Sequence, residues 1–425
     1  MINIIDLLRE NKEVSDWKIN KLEKNSYEVY FVHDKLETVR STSTTNTSVT
    51  VYVNHKKFTG DYTFTQEVND SKEVLEEKIK NAIYNASLIN NKAYKLVEGN
   101  KLDTKIESNF NDYKPSELAS LIYNCLAECT SKSKAQLNAT EIFVYKNRRE
   151  VINSKGLDKK EVYYDCMIET IPTYDLRGTN SVELYQCFNF NKYDENYIKN
   201  IIKQSLKDVT SRARAKKPEI EINCPVLLRD KEISEICQNI SSELNYSALY
   251  ANTNLYNKGQ NIQENASGDL LTISLIGQVE GSTASHNFDN DGVDLTSQKL
   301  INKGIVKSFF GNNQYAQYVN KKVTGYLPII ELKKGNYSER QLKANPYLEC
   351  VSFSGLQVDI ANDYIGGEVR LANYFDGSKI HPLTGLSISA KFSDVLKTLK
   401  LSKKITVSGA YKGPNLALFD NFKIF

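Results

Sequence analysis

The stretch from Asn287 to Gly325 constrains the fold of this chain more than any other. It opens with an acidic, glycine-containing turn, Asp289-Asn290-Asp291-Gly292. Two short apolar runs follow, Leu300-Ile301 and Ile305-Val306, separated by Asn302-Lys303-Gly304. Gly304 can take positive φ without a Cβ clash, so the local reading is a β-hairpin closed by a three-residue turn. The second strand runs into Ser308-Phe309-Phe310. A polar, tyrosine-containing run from Gly311 to Tyr315 comes next and reads as exposed, and the stretch closes on Thr324-Gly325. Tyr326-Leu327-Pro328-Ile329-Ile330 then follows and is apolar enough to need a cover.

The chain has 425 residues, beyond a single ordinary core, and divides most naturally into two domains, 1–217 and 218–425. Arg212-Ala-Arg-Ala-Lys-Lys217-Pro218 marks the boundary. It is basic and ends on a proline that cannot continue a helix, and its cations suit a helix C-terminus. Fifty-five basic against fifty-two acidic residues leave a net charge of +3, too near neutrality for a nucleic-acid binder on charge alone. Asp6 interrupts the apolar start Met1-Ile2-Asn3-Ile4-Ile5, unlike a signal peptide. No stretch approaches the roughly 20 apolar residues of a membrane span. Seven scattered cysteines do not form a disulfide framework, so the expected compartment is the cytoplasm.

Periodicity predicts helices over 1–12, 70–89, 115–129, 197–213 and 230–245. Asp70 or Ser71 can cap the second, and Pro115 suits the first turn of the third. Strands are expected at Tyr27–Val32, Ser48–Val53, Thr140–Tyr145, Glu150–Asn153, Val162–Glu169, Ile220–Leu228, Leu270–Val279, Leu348–Phe353, Leu356–Ile360 and Glu368–Tyr374. The polar run from Arg40 to Ser48 reads as a strand edge or a mobile loop, and Lys146-Asn147-Arg148 as a hairpin turn. Sheet and helix alternate in the first half, while the second is mostly β with one principal helix. The fold class is therefore α+β: an N-terminal sandwich-like domain of antiparallel sheet and helices, then a β-rich domain.

Reactive side chains are few and scattered. Cys125 and Cys129 share a helix face and read as core residues, and Ser154 belongs to the turn Asn153–Leu157. His33, His55, His286 and His381 have no metal-ligand spacing; only His286, entering the turn beside Asp289, stands near other polar residues of interest. Glu232, Glu235 and Glu243 are candidate carboxylates that read as the solvated face of their helix.

The ordered residues Phe288, Asp289, Asp291, Gly292, Val293, Leu300, Ile301, Gly304, Val306, Ala316, Thr324 and Gly325 resemble the signature of the TldD/PmbA family, once called modulators of DNA gyrase. The turn Asn153–Leu157 resembles the family's N-S-x-G turn, and the likeness spans roughly residues 70–425. In TldD-type members the resemblance implies a zinc peptidase with HExxxH on the helix here spanning 230–245 and a late Cys ligand. This chain departs from that pattern. Its helix has no His, Cys237, Gln238 and Asn239 occupy the place of the motif, and Tyr411 lies where the late Cys would fall.

That departure matches PmbA-type (TldE) members. What the resemblance implies is a non-catalytic subunit, without a cofactor of its own, that joins a zinc-bearing TldD-like chain as a heterodimer, or forms a homodimer in its absence, to cleave unfolded or small peptides. His286, Phe288, Asp289, Gly292, Gly304, Thr324, Gly325, Ile329 and Ile330 are then expected at the peptide cleft or subunit interface. One alternative is a self-sufficient, metal-independent hydrolase using Cys350, or Ser154 with His381. Another is a gyrase-associated or nucleic-acid-associated regulator.

Overall fold

A computed structural model describes residues 4–176 and 181–425. Residues 1–3 of the expected first helix lie outside the described residues. In the N-terminal half, three consecutive strands form antiparallel pairs: β1 (Asp16–Val32), β2 (Lys35–His55) and β3 (Phe58–Gln66). The strand Gln136–Asn153 lies on the other side of β1, and Asp158–Tyr174 pairs with it in turn. The short strand Lys101–Lys105 closes that side in parallel.

Helices cover one face of this sheet. Trp17 and Ile19 of β1 pack with α1 (Ile4–Glu10) and α2 (Lys72–Ser87), whose Leu75, Ile79, Ala82 and Ile83 form the buried stripe. Ser71 caps α2 by accepting from the Val74 amide. Val29, on the same face, packs with α3 (Pro115–Thr130) and α4 (Glu195–Arg214). Cys125 and Cys129 are buried there as core residues.

One expectation fails in this sheet and another is decided between its alternatives. Arg40–Ser48 is no mobile loop: it lies within β2, paired residue by residue with β1, and up to Asn46 it is the strand edge that was the other reading. Lys146-Asn147-Arg148 is no turn; the strand runs through it, paired on both sides. Polarity misled in both places. These residues alternate between the two faces: Asn147 donates to Asp165 at 3.2 Å on the face away from the helices, and Lys146 lies over the Tyr164 ring on the other.

The C-terminal half holds two further sheets around one helix. An eight-stranded sheet includes Val226–Arg229, Tyr347–Asp359, Tyr364–Phe375 and Leu416–Phe419; a six-stranded sheet includes Ile273–Ile276, Ser297–Asn302, Ile329–Leu332 and Tyr411–Pro414. The helix α5 (Asp230–Ser242) sits against strands of both. Its stripe Ile233, Ile236, Cys237 and Ile240 packs with Val226, Ile330, Leu348 and Tyr411 in one core. Two expected strands are shorter than the apolar runs suggested, Val226–Arg229 and Ile273–Ile276. The flanks Ile220 and Leu270 are exposed and pair with nothing regular. The overall class is α+β. No helix among the described residues is long and apolar enough to cross a membrane.

The expected hairpin is present, joining Ser297–Asn302 to Ile305–Val306. Its loop is tighter than read: Asn302 pairs with Ile305, and only Lys303 (φ 48°) and Gly304 (φ 76°) intervene. Positive φ at both central residues is the turn that matches strand twist.

Candidate functional site

Helix α5 follows its strand without a break. Arg229 ends the strand and serves as N-cap, and the carboxyl groups of Asp230 and Glu232 stand in the first turn. With the apolar stripe turned inward, Lys231, Ser234, Glu235, Gln238, Asn239 and Ser242 line a cleft of about 1060 Å³ between the two halves of the chain. Tyr197 and Asp208 of α4 form part of the opposite wall.

A buried ion network closes one side of the cleft. Arg229 reaches Asp208 with both terminal nitrogens, at 2.6 and 3.1 Å, and its Nε donates to Glu349 at 3.0 Å. Lys343 lies 3.3 Å from the other Glu349 oxygen. Burial opposes the Glu349 charge, but Arg229 and Lys343 outweigh it and hold the carboxyl below its ordinary range. Asp208 comes from the N-terminal half and Glu349 from the C-terminal half, so the network ties the halves together beside the cleft.

The residues at the place of the zinc motif do not fit a zinc ion. Cys237 points into the core, and burial pushes its thiol up to about 12, so the thiolate a metal needs is disfavoured. Gln238 and Asn239 do line the cleft, but amides are poor zinc ligands. Tyr411 is buried and donates to the Pro414 carbonyl at 3.0 Å, with its phenol raised by burial. Among the described residues no three His, Cys, Asp or Glu side chains gather with ligand spacing.

Glu232 differs from the solvated residue expected from the sequence. It is 6% exposed, and its Oε2 has no hydrogen-bond partner. Burial pushes its carboxyl up to about 7. The folded protein therefore keeps a proton that the unfolded chain loses near pH 4.5. Stability attached to this group is present below that pH and drains away as pH rises towards 7. Glu232→Gln is expected to raise stability by roughly 1–3 kcal/mol at pH 8 and by little at pH 4. Urea unfolding at the two pH values measures the difference.

The signature stretch turns out to clamp the C-terminal half onto the uncovered face of the N-terminal sheet. Glu161, wholly buried, accepts from His286 Nδ1 at 2.6 Å and from the Asn287 amide at 2.8 Å. Arg149 lies 3.3 Å from the same carboxylate, donates to the Phe288 carbonyl and stacks 4.6 Å above the Phe288 ring. Phe288 is buried against Val151 and Leu157. Asp289 accepts from the amides of Asp291, Val293 and Tyr326 at 2.9–3.0 Å. Lys18 meets Asp291 at 2.5 Å and Lys159 meets Asp294 at 2.6 Å. Gly292 has φ 81°, and a Cβ there would stand 2.2 Å from Leu157 Cδ2. Gly325, at φ 72°, and Thr324, hydrogen-bonded to Gly311, complete the clamp. A second cavity of about 700 Å³ opens beside it, lined by Asn20, Arg149, Tyr163, His286, Asp289 and Tyr326.

Other expected residues stand elsewhere. Gly304 is in the hairpin turn, beside Asn261 and Gln263. Ile329 and Ile330 form no exposed face; they lie in a central strand, buried within this chain. The run from Gly311 to Tyr315 is not exposed either. It leads into the helix Asn313–Tyr318, where Asn313 is buried and donates to the Lys95 carbonyl at 2.7 Å. The hydrolase alternative is not assembled. Cys350 is sealed in the core with its thiol raised by burial, Ser154 donates to Asp16 at 2.5 Å, and His381 bonds Asp376 at 2.7 Å.

Residues 221–424 match the family model of the PmbA/TldA metallopeptidase C-terminal domain. Among solved structures, TldE from Thermococcus kodakarensis superposes with a TM-score of 0.81 at 16% identity, covering 99% of both chains. A protein named as a candidate modulator of DNA gyrase from Bacteroides thetaiotaomicron gives 0.79 at 15% identity, covering 99% of this chain and 97% of that one. Its counterpart from Thermotoga maritima gives 0.75 at 16% identity, covering 99% and 98%. No curated protein matches the sequence.

Proposed function

We propose that this chain is the non-catalytic subunit of a two-chain zinc peptidase acting on unfolded or small peptides, a reading supported by the match of residues 221–424 to the PmbA/TldA metallopeptidase C-terminal domain. The observation that carries the reading is the cleft face of α5. It follows the first strand of the C-terminal half, where the family resemblance puts the zinc motif, and lines the cleft of about 1060 Å³, but presents Lys231, Ser234, Glu235, Gln238 and Asn239 in place of zinc ligands. A related chain bearing HExxxH would supply the metal, which polarises the scissile carbonyl and activates water there. This chain would contribute wall and positioning surface only. In the absence of such a partner it would pair with itself.

Two outcomes follow. The purified protein is expected to hold well under one zinc per chain after dialysis, read by elemental analysis. It is also expected to leave a casein-like substrate uncut, with or without added zinc. Chelator-sensitive cleavage by this chain alone would overturn the reading.

A further inference from the structure

A groove of about 690 Å³ runs between α4 and the end of α3, on a different face of α4 from the cleft. Five cations line it, Lys132, Lys199, Lys203, Lys207 and Arg214, against one carboxylate, Glu128. Lys199 takes up that carboxylate at 2.5 Å and meets Glu195 at the same distance. The other four cations are exposed. Among the described residues their side chains have neither a hydrogen bond nor an ion pair, and Lys132 and Lys203 feel Glu128 only at longer range.

Helix ends explain part of this charge. Lys132 lies just beyond α3 and Arg214 closes α4, where cations suit the free carbonyls. Lys203 and Lys207 stand inside the helix, where that reason fails. Lys199, Lys203 and Lys207 recur at every turn and Arg214 follows two turns later. They form one stripe about 22 Å long, with about 6 Å between neighbouring lysines. A stripe matches a linear anion rather than a compact one. A single phosphate favours backbone amides at a glycine-rich loop, and no glycine lines the groove. Single-stranded nucleic acid favours aromatic stacking, and no aromatic ring lines it either.

We infer that the groove holds an acidic stretch of extended peptide, with Asp or Glu at alternate positions. Alternate side chains of an extended chain stand about 6.6 Å apart on one side, close to the step of the lysine row. The choice of a peptide among linear anions rests on the reading given under the proposed function. α4 turns Tyr197 and Asp208 to the cleft and its lysines to the groove. A chain held by the lysines therefore has its flanking residues beside the cleft.

Fluorescence anisotropy of a labelled decapeptide of alternating Glu and Ser, mixed with the full chain alone, tests this. Four exposed ion pairs, each worth about twofold to threefold in affinity, make it bind roughly thirtyfold tighter than the Gln-Ser analogue at low salt. Lys203→Gln, Lys207→Gln is expected to weaken binding about fivefold, and Lys203→Glu, Lys207→Glu about thirtyfold, with the melting temperature unchanged. Lys56→Glu, Lys57→Glu, in the exposed turn between β2 and β3, makes the same change of net charge and is expected to leave binding as it was. Equal binding of the Gln-Ser peptide, wild-type binding by the Lys203 and Lys207 reversal, or an equal loss from the Lys56 and Lys57 reversal would each overturn the inference. Tighter binding of a ten-nucleotide single strand than of the Glu-Ser peptide would overturn it in favour of nucleic acid. Cleavage is not the readout, so failure here and failure of the subunit role are separate results.

Discussion

Glu161→Ala is expected to lower unfolding stability by about 3–5 kcal/mol, because it leaves the buried Arg149 guanidinium without its partner. Glu161 is wholly buried at the centre of the clamp, between Arg149 on one side and His286 and Asn287 on the other. Burial alone would push its carboxyl up. The hydrogen bond from His286 and the charge of Arg149 outweigh that, and the net shift is downward. A carboxyl lowered on folding adds stability that is fully present above its unfolded value near 4.5. That stability is lost as pH falls through the folded value. The gap between wild type and variant should thus be constant from pH 6 to 8 and shrink below about 4.5. Urea midpoints across this range give both quantities, and a loss under 1 kcal/mol at pH 7 would mean that the clamp does not hold the halves together.

Arg229→Leu should be comparably costly, by about 3–5 kcal/mol, with a different consequence. Arg229 satisfies Asp208 and Glu349 at once, and removing it leaves two carboxylates facing each other beside the cleft. α4 carries Asp208, and its last turn reaches the C-terminal half again where Arg212 donates to Thr384 at 2.8 Å. With the network broken, the exposed connector after Arg214 should become the first site of limited proteolysis. We propose that the halves separate there, between 212 and 218. First cleavage inside the hairpin at 287–325 would contradict that division.

Helices were legible in this sequence because one amphipathic stripe fixes each of them. Leu75, Ile79, Ala82 and Ile83 are the buried face of α2, and Ile233, Ile236, Cys237 and Ile240 that of α5, as the 3.6-residue period requires. Strand lengths were not, because β2 at Arg40–Ser48 and the strand at Lys146–Arg148 have a face turned away from the helices and need no apolar alternation. At the signature, Gly304 announced positive φ locally, and the structure gives it to Gly292 and Gly325 as well. Their partners Arg149, Lys159 and Glu161 lie more than a hundred residues earlier, and no local pattern links them. Charged residues at alternate positions of Asp158–Tyr174 were the one available signal. The apolarity of Ile329-Ile330 was real, but the cover it needs comes from the chain's own core. Likewise, sequence could show that α5 lacks His, but not that Arg229, Asp208 and Glu349 frame the cleft beside it.

Titrating this chain into a related chain that carries HExxxH tests the subunit role most directly, with peptide cleavage as the readout. The rate is expected to rise until the two chains are present in equal number, then level off, and to vanish on chelation. Full activity of the related chain without this one, or cleavage by this one alone, would contradict the role.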